Sequence, residues 1–388
     1  MVSLDEFVRL KRGYDLPSRD RRPGGVPILG SFGITGWHDS SKIDGPGVTV
    51  GRSGASMGVA THHAGPCWPL NTALYVQDFK GNDPRFVYYV LDSIDFASFN
   101  SGAAQPSLNR NYLGAISVWR PELYKQRRVA STLGAFDDLI ENNRRRIEIL
   151  EEMARLLYRE WFVHFRFPGH EDVELVDSEL GPIPEGWEVA TLADYCEHVK
   201  RNLTPHKFEG EEFLHYSIPA LDADRLPALE LGESIRSGKY EMTGDCVLLS
   251  KLNPRFPRVW RSRGPYSLRA VCSTEFLVLE PSQDGWPIDY LQCFVQNSDL
   301  GERLAQMAGG TSTSHQRVKP GDVMALPIVA PCTELVDAAA EQLKPMNELV
   351  LNLIEQNRVL REARDLLLPR LVSGELDVSE LDLDGVLA

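Results

Sequence analysis

The sequence is poor in cysteine, with Cys67, Cys196, Cys246, Cys272, Cys293 and Cys332 the only ones, and no two form a Cys-x-x-Cys pair. That argues against a zinc knuckle or a disulfide framework and makes free thiols in a reducing cytoplasm the expectation. No apolar run approaches the roughly 18 residues of a membrane-spanning helix. Asp5, Glu6, Arg9 and Lys11 break up the first residues, so no secretory signal is expected there. There is no His-Glu-x-x-His motif, and adjacent His62 and His63 on a strand would point to opposite faces, which disfavours paired metal ligation. Positive charge is also scarce. Lys and Arg total 41 against 55 Asp and Glu, a net charge of −14. Taken alone, that balance argues against a nucleic-acid binder.

The average conceals an uneven distribution. Residues 1–125 carry a net +2, residues 126–185 carry −5, residues 186–332 carry −4 and residues 333–388 carry −7. The acid is concentrated in two segments that read as helical, and those segments repeat. Ala115-Ile116-Ser117-Val118-Trp119 followed by Pro121 matches Ala325-Leu326-Pro327-Ile328-Val329 followed by Pro331, at an offset of 210. At the same offset, a four–three apolar spacing runs through Phe136, Ile140, Asn143, Ile147, Leu150, Ala154, Leu157 and Trp161. Its second copy is Met346, Val350, Leu353, Asn357, Leu360, Arg364, Leu367 and Leu371. This is the rhythm of paired helices; a surface helix on a globular core is the simpler alternative. Gly134, with Asp137 as a cap, and Pro345 are expected to break each copy into a short helix and a long one. The long helices then run near 136–162 and 346–371, each roughly 40 Å.

Upstream, Leu4-Asp5-Glu6-Phe7 matches Leu192-Ala193-Asp194-Tyr195 at an offset of 188, so the second copy carries about 22 extra residues. Between these points, short apolar runs such as Val48-Thr49-Val50 and Phe276-Leu277-Val278-Leu279 alternate with turn residues. The expected order is globular (1–120), helical (121–180), globular (181–330), helical (331–388), with Gly181-Pro182-Ile183-Pro184-Glu185-Gly186 leading into the second copy. The fold class is α+β, two mixed α/β bodies with an antiparallel pair of long helices and an internal pseudo-twofold repeat.

Enzyme signatures fail in turn. Gly232 to Tyr240 resembles a phosphate loop, but five residues separate its glycines and Tyr240 stands where Ser or Thr would hold magnesium. Asn253-Pro254-Arg255-Phe256 resembles the Asn-Pro-Pro-Phe/Tyr element of adenine methyltransferases, yet Arg255 replaces the second proline and no Gly-rich cofactor loop lies upstream. The stretch itself is informative. Lys251, Arg255, Arg258, Arg261, Arg263 and Arg269 occur without an acidic residue among them, interleaved with Phe256, Trp260 and Tyr266. A solvated hairpin edge is one reading; a surface that clamps phosphate and reads base edges, with Asn253 among its contacts, is the other. In the first copy Gly51-Arg52-Ser53-Gly54 takes the corresponding place, with Arg12 in the basic neighbourhood of Arg9, Lys11, Arg19, Arg21 and Arg22. Two polar loops precede the strand–proline junctions and offer Gln105 and Asn109 in one copy, His315 and Gln316 in the other; amide side chains suit adenine.

Three further segments carry a family resemblance. Tyr158-Arg159-Glu160-Trp161-Phe162-Val163-His164-Phe165, Ile183-Pro184-Glu185-Gly186-Trp187-Glu188 and Leu367-Leu368-Pro369-Arg370-Leu371-Val372-Ser373-Gly374-Glu375-Leu376 together resemble the specificity subunit of type I restriction–modification systems. The resemblance spans nearly the whole chain. It implies two target recognition domains at 1–120 and 181–330, helical spacers that pair antiparallel, double-stranded DNA as ligand and an asymmetric bipartite target. It also implies two modification subunits as partners, with restriction subunits optional. The chain itself would be non-catalytic and hold no cofactor, with S-adenosylmethionine and ATP on the partners. Met1 begins almost directly in the first strand, without a Pro-Glu-Gly-Trp-like lead, and Arg364 interrupts the apolar seam, so the helix register stays open. A coiled-coil adaptor that binds only protein is the competing reading, and a stand-alone methyltransferase lacks a recognisable cofactor loop. The purified chain, given S-adenosylmethionine and duplex DNA, is therefore expected to transfer no methyl group; labelled methyl incorporation without any partner protein would contradict this.

Overall fold

Val48 and Val50 lie in a strand, Gly47–Gly51, whose every residue is buried. In the computed structural model, which describes residues 1–99, 107–309 and 316–378, this strand belongs to a four-stranded antiparallel sheet ordered Arg9–Arg12, Ala73–Asp78, Gly47–Gly51, Ala60–His63. The helix Pro84–Asp92 follows. Asp83 starts it by accepting the N–H groups of Arg85 and Phe86, and Pro84 sits where a missing N–H costs nothing. Its buried Phe86, Tyr89 and Val90 join Val48, Val50, Leu74 and Val76 in one core. A second sheet pairs Gly33–His38 with Val26–Gly30, and Val26–Gly30 with Trp68–Pro69.

The second unit orders its four-stranded antiparallel sheet in the same way: Cys196–His198, Phe276–Pro281, Cys246–Ser250, Val259–Ser262. It too is followed by a nine-residue helix, Ile288–Gln296. Where the first unit has a three-stranded sheet, the second has five strands, ordered Asn202–Leu203, Lys239–Met242, Arg269–Ser273, Glu212–Tyr216, Ala228–Leu231. Both units open with a capping box, Ser3 with Glu6 and Thr191 with Asp194.

The long helices differ from the sequence expectation. They are continuous, Leu123–Tyr158 and Thr333–Ser373, so neither Gly134 nor Pro345 ends a helix. At 1.5 Å per residue they measure about 54 and about 62 Å. Gly134 serves packing instead of termination. A Cβ there would lie 2.5 Å from the Arg85 guanidinium carbon, and Arg85 donates to the Gly134 carbonyl at 3.0 Å. Asp137 is no cap but a mid-helix acceptor for the Tyr89 hydroxyl (2.5 Å) and Arg364 (2.8 Å). Pro345 forfeits one backbone hydrogen bond, while buried Leu343 and Asn347 on either side hold the helix in place.

Nor do the helices form separate segments. The chain divides into Met1–Glu141 with Arg358–Ala388, and Asn142–Asn357, so each helix contributes to both units. Val129, Leu133 and Leu371 are part of the first core, with Leu367 packed against it. Ala154, Tyr158, Val336, Ala339 and Leu343 are part of the second, and Leu157, Trp161 and Met346 pack against that core. Ile147 and Leu150 meet Val350 and Leu353 directly. Ile140 is buried, while Phe136 and Leu360 are half-buried. Within each unit the two helix segments run in opposite directions. Asp137 meets Arg364 and Lys125 meets Asp377 in the first; Asn143 meets Asn357 and Ile147 meets Val350 in the second.

Asn143 is fully buried, and its amide donates to Asn357 Oδ1 and Gln356 Oε1, both at 2.9 Å, while its own Oδ1 has no partner. Removing one amide strands the other. Asn143→Ala is expected to cost roughly 1–3 kcal/mol in denaturant unfolding, whereas Asn143→Leu combined with Asn357→Leu should cost less than the two single leucine variants together. Additive losses would contradict a coupled pair.

Candidate nucleic-acid interface

In each unit, the chain leaving the third strand of the four-stranded sheet is tied to a polar segment far along the sequence. In the first unit, Gly51 admits no side chain, since a Cβ would lie 2.1 Å from the Ser56 carbonyl oxygen. The next residue, Arg52, donates its N–H to Thr72 at 2.9 Å and accepts from Leu108 at 2.8 Å, and Ser53 bridges Ser107. Arg52 is half-buried; Arg12 and Asn109 are exposed. Gln105 lies outside the described residues.

In the second unit, Lys251 donates its N–H to Glu275 at 2.8 Å and accepts from Val318 at 3.1 Å. Asn253 takes a left-handed backbone (φ 54°), donates to Gln316 at 2.8 Å and accepts from Phe256 at 3.0 Å. Asn253-Pro254-Arg255-Phe256 is therefore a tight turn that carries Arg255 and Phe256 exposed at its tip. Gln316 Oε1 is buried without a hydrogen-bond partner. His315 lies outside the described residues. The structure thus brings Arg52 and Ser53 to one polar segment and Lys251 and Asn253 to the other.

The rest of the basic stretch is divided. Arg258 makes a two-pronged ion pair with Asp222 at 2.6 and 2.9 Å, which raises its pKa further above the ordinary range. Arg261 pairs with Asp245 at 3.0 Å and is 10% exposed. Arg269 pairs with Glu241 at 2.8 Å and lies 4.5 Å from the Phe208 ring centre. These guanidinium groups are paired with carboxylates remote in sequence, and in the structure Arg258 and Arg261 tie the hairpin to Asp222 and Asp245. Arg255 and Arg263 are exposed and form no ion pair among the described residues. Arg317, which ends the second polar loop and was given no role from sequence, clasps Glu275 at 3.0 and 3.1 Å beside Lys251. Burial lowers the Lys251 pKa, with Glu275 opposing that shift.

No cofactor site emerges among the described residues. The Gly232–Ser234 turn leads into strand Lys239–Met242, not into the helix a phosphate cradle needs, and Lys239 turns its ammonium to Ser237. No group of three or more His, Cys, Asp or Glu is placed to hold a metal among the described residues. A cleft of about 310 Å³ in the second unit is lined by Glu151, Arg155, Asp222, Arg225 and Arg258. Its charges are largely paired internally, Arg225 with Glu151 at 2.7 Å and Arg258 with Asp222. No described helix is long and apolar enough to cross a membrane.

Comparisons with known proteins point to one family. Residues 1–152 match the family model described as the type I restriction modification DNA specificity domain. The type I restriction enzyme MjaIX specificity subunit of Methanocaldococcus jannaschii is 25% identical over 335 residues, covering 81% of this chain and 74% of its own. The HindI specificity subunit of Haemophilus influenzae is 20% identical, covering 76% of this chain and 77% of its own. Among solved structures, the S subunit of a type I restriction–modification system from M. genitalium has a similar fold. Its TM-score is 0.60 at 14% identity, with 95% of each chain covered.

His198, on the edge strand near Lys251, gives the region a pH signature. Its Nδ1 accepts the Val278 N–H at 3.1 Å, its Nε2 is buried without a partner, and burial holds its pKa below the ordinary 6.5. Above pH 6.5 the ring is neutral in both folded and unfolded chains; as pH falls below it, the unfolded chain takes the proton first and stability declines. Denaturant midpoints should therefore drop from about pH 7 to about pH 5, and less so in His198→Asn, which can still accept the Val278 N–H. Superimposable pH profiles would contradict this.

Proposed function

We propose that the chain is a specificity subunit of the type I restriction–modification kind, as its similarities suggest, and that it binds double-stranded DNA and reads an asymmetric, bipartite target while docking the catalytic subunits. The observation that carries the reading is the paired arrangement of the two rims. Each unit ends its four-stranded sheet in a basic turn, at Arg52 or Lys251, tied by backbone hydrogen bonds to a distant polar segment. Guanidinium and amide groups on such a rim can contact phosphates and read guanine or adenine edges in the major groove. The two rims differ in sequence. Arg255, Phe256 and Arg263 have no counterpart in the loop after Arg52, so the two half-sites should differ.

The long helices, with their apolar seam, act in this reading as an antiparallel coiled coil within a pseudo-twofold repeat, and their charge is nearly balanced, 12 basic against 13 acidic residues. In this reading they offer the docking surface for the catalytic subunits. Two modification subunits would bind S-adenosylmethionine and methylate a flipped adenine, and restriction subunits, where present, would use ATP. The chain positions DNA for them in the cytoplasm and catalyses nothing. An adaptor that recognises only protein would need no pair of basic rims.

Mapping methylated adenines in cells that express the chain with its modification partner tests the reading. Two short, unlike half-sites with an unread spacer are expected, and one continuous tract would overturn the reading. In the assembled complex, Arg255→Ala should cost roughly 1–3 kcal/mol in discrimination at one half-site, the size of a good base contact. Recovery of the complex should be unchanged.

A further inference from the structure

The ends of the two four-stranded sheets carry a matched feature that the loop sequences do not reveal. In the first unit, Arg12 ends its strand opposite Leu74 on one side of Ala73–Asp78, and Val50 is opposite Leu74 on the other side. Arg52 lies two residues past Val50 and so returns to the same face, just beyond the core residues Leu10, Leu74 and Val50. In the second unit, His198 is opposite Leu279 and Val247 is opposite the same leucine. Lys200, two residues past His198, and Lys251, two past Leu249, lie on that same face and end beyond core residues Leu277 and Leu249. Each sheet therefore places one basic residue on either side of its central strand, at the same end and on the same face: Arg12 with Arg52, Lys200 with Lys251. Arg12 and Lys200 stand at the offset of 188 that relates the starts of the two copies.

We propose that these two pairs are phosphate clamps, one per unit, that grip the DNA backbone independently of base sequence and set the register in which the differing loops read bases. This rests on the DNA-binding reading above and assigns a division of labour within it. Several observations favour phosphate over base edge. Both positions are basic in both units, although the adjoining loops differ. Two cations flanking a strand suit an anion with several acceptor oxygens. Lys251 is held by backbone hydrogen bonds on both sides, to Glu275 and from Val318, which lowers the entropy lost on binding. The neighbouring carboxylates leave charge over. Glu275 is clasped in two prongs by Arg317, and Asp15, 3.9 Å from Arg12, also accepts the Asn71 amide.

The test uses the full chain assembled with its modification subunit and a long duplex of arbitrary sequence, with affinity measured across a salt series. Replacing Lys200 and Lys251 with Gln, or Arg12 and Arg52 with Gln, should weaken binding to arbitrary and target duplexes by the same factor. Each phosphate that is no longer neutralised should flatten the slope of log affinity against log salt by about 0.9. Lys200 and Arg12 are exposed, so Lys200→Gln and Arg12→Gln alone keep the fold and should each flatten the slope by about half as much as the corresponding pair. An unchanged slope, or a loss confined to the target duplex, overturns the clamps while leaving DNA binding intact. Failure of the unaltered complex to bind any duplex at low salt overturns the DNA reading, and the clamps with it.

Discussion

The apolar faces of the two long helices are the constraint on which the rest depends. Neither helix would persist on propensity alone, since isolated helices are marginal in water and gain stability chiefly from packing. Here each supplies part of a globular core. Val129, Leu133 and Leu371 close the first over its sheet, and Val336, Ala339 and Leu343 close the second. A fully buried aliphatic side chain of this kind contributes about 1.5–3 kcal/mol, so a helix displaced in register would open a core. The buried Asn143–Asn357 amide pair adds direction to that attraction, because polar groups inside an apolar seam tolerate few alternative alignments.

From that framework follows a separation between what is held and what is offered. The strands Gly47–Gly51 and Cys246–Ser250 are buried throughout and paired on both sides. The turns that leave them are stiffened by hydrogen bonds to remote segments, so Arg52 and Lys251 are displayed on fixed backbone. Ion pairs such as Arg258–Asp222 and Arg261–Asp245 spend guanidinium groups on shaping the hairpin. A net-acidic chain can therefore present a basic rim, since carboxylates such as Asp222, Asp245 and Glu241 neutralise structural arginines away from it.

Much of this was legible in the sequence. The four–three spacing located the helical faces, and the offset of 188 pointed to two segments that each lead into a four-stranded antiparallel sheet of similar order. What misled was local. Gly134 and Pro345 are helix breakers by propensity, but tertiary packing overrides propensity when buried neighbours hold the chain. The basic stretch looked like one continuous surface because Asp222 and Asp245, which neutralise Arg258 and Arg261, lie outside it in sequence. Lys200 was not singled out, and Arg317 was given no role, for the opposite reason. Each lies far in sequence from the 251–269 stretch, and only strand pairing brings them beside Lys251. The repeat offset that maps Arg12 onto Lys200 was the one signal available.

The central claim is that the ends of the two sheets, and not the long helices, face DNA. Amide hydrogen exchange of the assembled complex, with and without duplex, tests it most directly. The account requires slowed exchange around residues 52–58 and 251–256 on adding DNA, with the buried helix seam unchanged. Protection confined to Leu123–Tyr158 and Thr333–Ser373, with both rims unaffected, would contradict it.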